Sequence, residues 1–113
     1  MLQRRRIALL VLPAVAALAG PAATASAGTD VGVRIKNIDF HRAKLHIATG
    51  TTVTWSWLDD QVPHNVTSFG KTRFKSSGTR HLGDTYAYTF ATPGVYHYHC
   101  TIHANMIGKI TVA

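Results

Sequence analysis

The chain has 113 residues, 12 Lys and Arg against 5 Asp and Glu, 7 His and a single Cys, for a formal net charge of +7. That length holds one hydrophobic core and no second domain of comparable size. The lone Cys excludes an intramolecular disulfide framework and any zinc site built on two or more thiolates. Lys and Arg are scattered rather than striped, so no nucleic-acid partner is expected.

The basic charge is uneven. Arg4, Arg5 and Arg6 stand together without an acid, Ile7 to Ala19 is apolar apart from Pro13, and Ala25-Ser26-Ala27 offers small residues at a cleavage site. This order predicts a signal peptide over residues 1–27 and export to the periplasm or another extracytoplasmic space. The apolar run is shorter than the roughly 20 residues a membrane span needs, so no stable membrane insertion is expected. The Arg pair leaves Sec and twin-arginine export both open. Removing 27 residues, three of the 12 basic side chains among them, leaves a domain of 86 residues, 28–113, with net charge +4. A core of that size is marginally stable unless packing or a ligand adds to it.

The mature chain reads as short strands in succession. Val31, Val33 and Ile35 alternate with Arg34 and Lys36 on the other face; Leu45 and Ile47 alternate with Lys44, His46 and Ala48; Val53, Trp55 and Trp57 alternate with Thr52, Thr54 and Ser56. Residues 68–83, with Gly70, Gly78 and Gly83, predict a long crossover loop holding one short strand around Phe74. Tyr86, Tyr88 and Phe90 then alternate with Thr85, Ala87 and Thr89. After the turn Thr92-Pro93-Gly94, Tyr96, Tyr98 and Cys100 alternate with Val95, His97 and His99, and Ile110 and Val112 close the chain. Period-two runs of β-branched and aromatic residues, broken by Gly, Pro and Asp, predict an all-β sandwich or barrel of half-buried strands.

Chemistry concentrates in two segments. Cys100-Thr101-Ile102-His103-Ala104-Asn105-Met106 sets a thiolate, an imidazole and a thioether at three-residue steps, between one strand ending near Cys100 and another beginning near Ile107. A tight loop there folds three donors around one point. Taken singly, Cys100 reads as a small buried hydrophobe, His103 as a loop residue and Met106 as core filler. Their joint spacing, in an exported chain that keeps one unpaired Cys, reads as a metal site. Sulfur ligands with imidazole select copper, and two His, one Cys and a long axial Met make the blue-copper electron-transfer set. The second imidazole is assigned to His64, in Pro63-His64-Asn65-Val66, at a strand end.

The segment Tyr96-His97-Tyr98-His99-Cys100-Thr101-Ile102-His103-Ala104-Asn105-Met106-Ile107-Gly108-Lys109-Ile110-Thr111-Val112 resembles the C-terminal segment of cupredoxins. The two-residue gap between His103 and Met106 is closer to amicyanin than to plant plastocyanin. Val53-Thr54-Trp55 with Pro63-His64-Asn65-Val66 resembles the other half of the site, and the likeness runs from about Val31 to Val112. It implies a Greek-key β-sandwich of about seven to eight strands holding one type 1 copper ion, Cu(I) or Cu(II). It implies His64, Cys100 and His103 as equatorial ligands and Met106 as the axial one. It also implies that Asn65 ties the His64 strand to the ligand loop near Thr101. The chain departs from amicyanin beside the second His, where Ile102 and Ala104 replace Pro.

The expected function is that of a small exported one-electron carrier, a monomer that meets redox protein partners near His103. The alternative is an exported protein that delivers or sequesters copper with the same ligands, although no Met-rich or His-rich tract is present. An enzyme is not expected: Cys100 and His103 lack the orienting third group and oxyanion site of a nucleophilic pair. His41, His46, His81, His97 and His99 match no ligand position and leave open a second metal site.

Overall fold

The computed structural model describes residues 29–113; the predicted signal peptide lies outside the described residues. Ten strands follow one another: β1 (Asp30–Ile35), β2 (Phe40–His41), β3 (Lys44–Ile47), β4 (Thr51–Trp57), β5 (His64–Asn65), β6 (Thr67–Phe69), β7 (Thr79–Arg80), β8 (Thr85–Phe90), β9 (Gly94–His99) and β10 (Ile107–Val112). Three of them, β2, β5 and β7, are two residues long, which leaves seven of three residues or more. The predicted alternating runs coincide with β1, β3, β4, β8, β9 and β10.

Two four-stranded sheets, ordered β2-β1-β4-β8 and β3-β10-β9-β6, form the sandwich, and β5 pairs with β7 at its end. Successive strands repeatedly change sheet, as in the expected Greek key. Two pairings are parallel, β1 with β4 and β10 with β3; the others are antiparallel. The period-two pattern sets the layers: Val53, Trp55 and Trp57 of β4 face in while Thr52, Thr54 and Ser56 are half-exposed. Trp55, Trp57, Tyr98, Phe40 and Phe90 are the largest fully buried side chains in the core between the sheets. Aromatic side chains of that size contribute the largest share of apolar burial per residue.

Phe74 lies on no strand, contrary to expectation. It is a buried plug in the crossover loop, stacked on Trp55 at 5.7 Å and edge-on to Phe90 at 5.2 Å. Its N–H donates to the Ser68 hydroxyl at 3.1 Å, and the N–H groups of Ser68 and Val66 donate to the hydroxyls of Ser76 and Ser77. Serine side chains thus satisfy backbone groups that a strand would have paired, and no ladder forms.

Tyr98 sits at the centre of the core with no solvent exposure, edge-on to Trp55 at 5.4 Å. Burial pushes its phenol up to about 12, an effect the Trp55 indole offsets only in part. The folded protein therefore holds this proton more tightly than the unfolded chain, whose tyrosine ionises near 10. Full stability is present below pH 10 and is lost as pH rises towards 12, by on the order of 2–3 kcal/mol at about 1.4 kcal/mol per pH unit. Urea midpoints of the wild type should fall across that window. Those of Tyr98→Phe should fall less; equal falls would remove Tyr98 as the cause.

Candidate metal centre

One end of the sandwich gathers the predicted residues. The β9–β10 register, with Ile107 opposite His99, makes Cys100 and Met106 the next facing pair. Their backbones meet there, Cys100 N–H donating to the Met106 carbonyl at 3.0 Å, and Met106 N–H donates to the His103 carbonyl at 3.1 Å. The loop is thereby closed over its own donors. Cys100 is 1% exposed and Met106 is fully buried, whereas His103 is partly exposed.

His64 arrives from β5. Its carbonyl accepts the Trp57 indole N–H at 2.8 Å, and β5 is held by β7, with Arg80 opposite His64 and its guanidinium over the rings of Trp57 and Tyr86. The imidazole is fully buried. Its Nε2 lies 2.8 Å from Asp59 Oδ2. A carboxylate oxygen accepts, so the hydrogen-bond network assigns the proton to Nε2 and leaves the Nδ1 lone pair free.

That lone pair faces the ligand loop. His64 Nδ1 is 3.1 Å from His103 Nδ1 and 4.0 Å from Cys100 Sγ, and His103 Nδ1 is 3.7 Å from Cys100 Sγ. The point equidistant from the corners of a triangle with these edges lies about 2.1 Å from each, the length of an ordinary bond from imidazole nitrogen to a transition metal. The donor set of two nitrogens and one sulfur therefore fits a metal ion by distance as well as by chemistry. Among the described residues, these three form the metal-compatible group.

Asn65 spans the two halves. Its Nδ2 donates to Thr101 Oγ1 at 2.8 Å, and its Oδ1 accepts the Thr101 N–H at 3.0 Å and the Thr67 hydroxyl at 2.6 Å. This is the contact between Asn65 and Thr101 that the resemblance implied.

The remaining histidines are dispersed. His41 Nε2 is 2.8 Å from the Lys36 carbonyl, His46 and His81 are exposed, and His97 and His99 flank Phe69 on the outer face of β9.

Asp59 escaped the sequence reading. It is 9% exposed and accepts three hydrogen bonds: Asn37 N–H at 2.6 Å, Ile38 N–H at 2.8 Å and His64 Nε2–H at 2.8 Å. Burial alone would push its carboxyl up. The bonds from Ile38, His64 and Asn37 outweigh that, and the carboxyl lies below its ordinary value. The only signal in the sequence was an Asp pair five and four residues before His64, which is common in any turn.

A two-sheet sandwich that closes an imidazole–thiolate–imidazole triangle at one end defines a cupredoxin-type centre. The sequence pattern of the copper-binding proteins of the plastocyanin/azurin type matches residues 27–113. The chain is 33% identical over 111 residues to amicyanin-alpha of Methylorubrum extorquens, covering 93% of this chain and 92% of that one. Among solved structures, a mutant of amicyanin in its reduced Cu(I) form superposes with a TM-score of 0.68 at 30% identity, covering 74% of this chain and 82% of that one. A copper-containing nitrite reductase from Thermus scotoductus SA-01 superposes with a TM-score of 0.66 at 29% identity, but this chain spans only 22% of its length. The chain belongs to the plastocyanin/azurin family of copper-binding proteins, and its cofactor is copper.

Proposed function

We propose that the protein is an exported, monomeric one-electron carrier. His64, Cys100, His103 and Met106 would hold the copper ion. The observation that carries this reading is the buried triangle of His64 Nδ1, Cys100 Sγ and His103 Nδ1. Copper supplies the Cu(I)/Cu(II) couple. The chain keeps the donors in one geometry for both oxidation states: Asn65 clamps the two ligand segments, and the backbone bonds of Cys100 and Met106 fix the loop. A site that does not rearrange when an electron arrives or leaves exchanges it with a small barrier.

Only His103 among these residues reaches the surface. Ile102 and Ile107 beside it are 47% and 56% exposed. We assign redox protein partners to this apolar end. Full burial of His64 and Met106 favours retention of the metal over hand-over, so the carrier is preferred to a delivery or sequestration protein. The N-terminal pattern of residues 1–27 supports export, and among the described residues no helix is long and apolar enough to cross a membrane. No catalytic role is proposed.

The test is the visible spectrum of residues 28–113 after addition of Cu(II). An intense blue band, bleached by ascorbate and restored by an oxidant, is expected. A colourless complex, or copper lost quickly to a chelator, would overturn the carrier. His103→Gly should keep the fold and open the site, so that added imidazole changes or restores the colour. A closed site, indifferent to imidazole, would contradict the placement of His103.

A further inference from the structure

We propose that Asp59 is a positioning residue for His64, and that its carboxylate shifts the balance of the site towards Cu(II) relative to Cu(I). The inference rests on His64 being a copper ligand, as proposed above. Asp59 Oδ2 accepts Nε2–H of a fully buried His64, which orients the ring and increases the electron density of the opposite nitrogen. An anionic acceptor does this more strongly than a neutral one. The carboxylate is itself pinned. Both of its oxygens accept backbone N–H groups, from Asn37 at 2.6 Å and Ile38 at 2.8 Å.

Those two donors sit at the tip of the β1–β2 hairpin, where Asn37 and Ile38 both have φ of 53°. Two consecutive left-handed residues make the tight hairpin turn that suits paired strands. Asn tolerates it; a β-branched Ile adopts it only under strain. This turn aims two adjacent N–H groups at one carboxylate. Asp59 thus joins the β1–β2 hairpin to β5, in a line from Asn37 and Ile38 through Asp59 to His64. Asn at position 59 would present one oxygen and one NH2 group, and cannot accept all three bonds on two oxygens.

The test is Asp59→Asn, measured beside the wild type. Cu(II) affinity, by chelator competition, should fall about 10- to 100-fold, as for other groups that orient metal-bound histidines. Each tenfold of that loss specific to Cu(II) raises the reduction potential by about 59 mV. A folded, blue Asp59→Asn variant with unchanged potential would overturn the proposal. If the variant does not fold, NMR of the Cu(I)-loaded wild type decides. A downfield His64 Nε2 proton in through-space contact with the amide protons of Asn37 and Ile38 supports it, and the absence of that contact overturns it. A wild type that never turns blue would instead count against the ligand set itself.

Discussion

Cys100→Ser is expected to abolish the intense blue absorption of the copper-loaded chain, together with its reversible one-electron couple. The colour of such a site needs a thiolate bonded to Cu(II), and Cys100 is the single sulfur of that kind in the chain. Ser is nearly the same size, so the end of β9 and its bond to the Met106 carbonyl survive. The added cost is a buried hydroxyl, on the order of 1–3 kcal/mol where no partner meets it. Circular dichroism of the apo form separates loss of fold from loss of the ligand. A folded Cys100→Ser chain that stayed blue would overturn the ligand set.

Gly108→Ala should damage the fold itself. Gly108 faces the core on β10, opposite Tyr98 on β9, and the Tyr98 ring lies across it. A methyl group at 108 would overlap the ring and its hydroxyl oxygen. The ring has nowhere to go. It is fully buried, 4.8 Å from Phe40 and 5.4 Å from Trp55 by centroid. Nor does β10 shift easily, held between β3 and β9. Overpacking a close-packed core costs about 1–3 kcal/mol and occasionally more, a large part of the 5–15 kcal/mol typical of a whole domain. A urea titration should show a clear fall in midpoint. Gly32→Ala on β1, where a methyl group meets nothing within 4 Å, is the control and should be near neutral. Equal midpoints for the two variants would show that Tyr98 gives way.

Local pattern made much of this protein readable. Alternation marked the six longest regular runs, because a half-buried strand must show one face to the core and the other to water. The spacing of Cys100, His103 and Met106 pointed to a candidate metal loop, because three donors within seven residues need no distant partner to converge. Phe74 was misplaced for the converse reason: its apolar neighbourhood looks like a strand, but its N–H is taken by the Ser68 hydroxyl. His64 was assigned from the need for a second imidazole at a strand end, and Asn65 through the likeness of Pro63-His64-Asn65-Val66 to a known family. Asp59 was not found at all. Its three partners are 21, 22 and five residues away, and nothing about an Asp in a loop foretells them.

The six longest strands, the candidate metal loop and the family likeness follow from short-range order in the chain, where side-chain period and donor spacing are local quantities. Other features required the folded molecule: the parallel pairing of β1 with β4 and of β3 with β10, and the closing of a 3.1, 3.7 and 4.0 Å triangle across 39 residues. So did the seating of Tyr98 over Gly108 and the capture of the His64 ring by Asp59. These depend on which strands meet and in what register. That is decided by packing of the whole core, a sum over contacts between residues far apart in the chain.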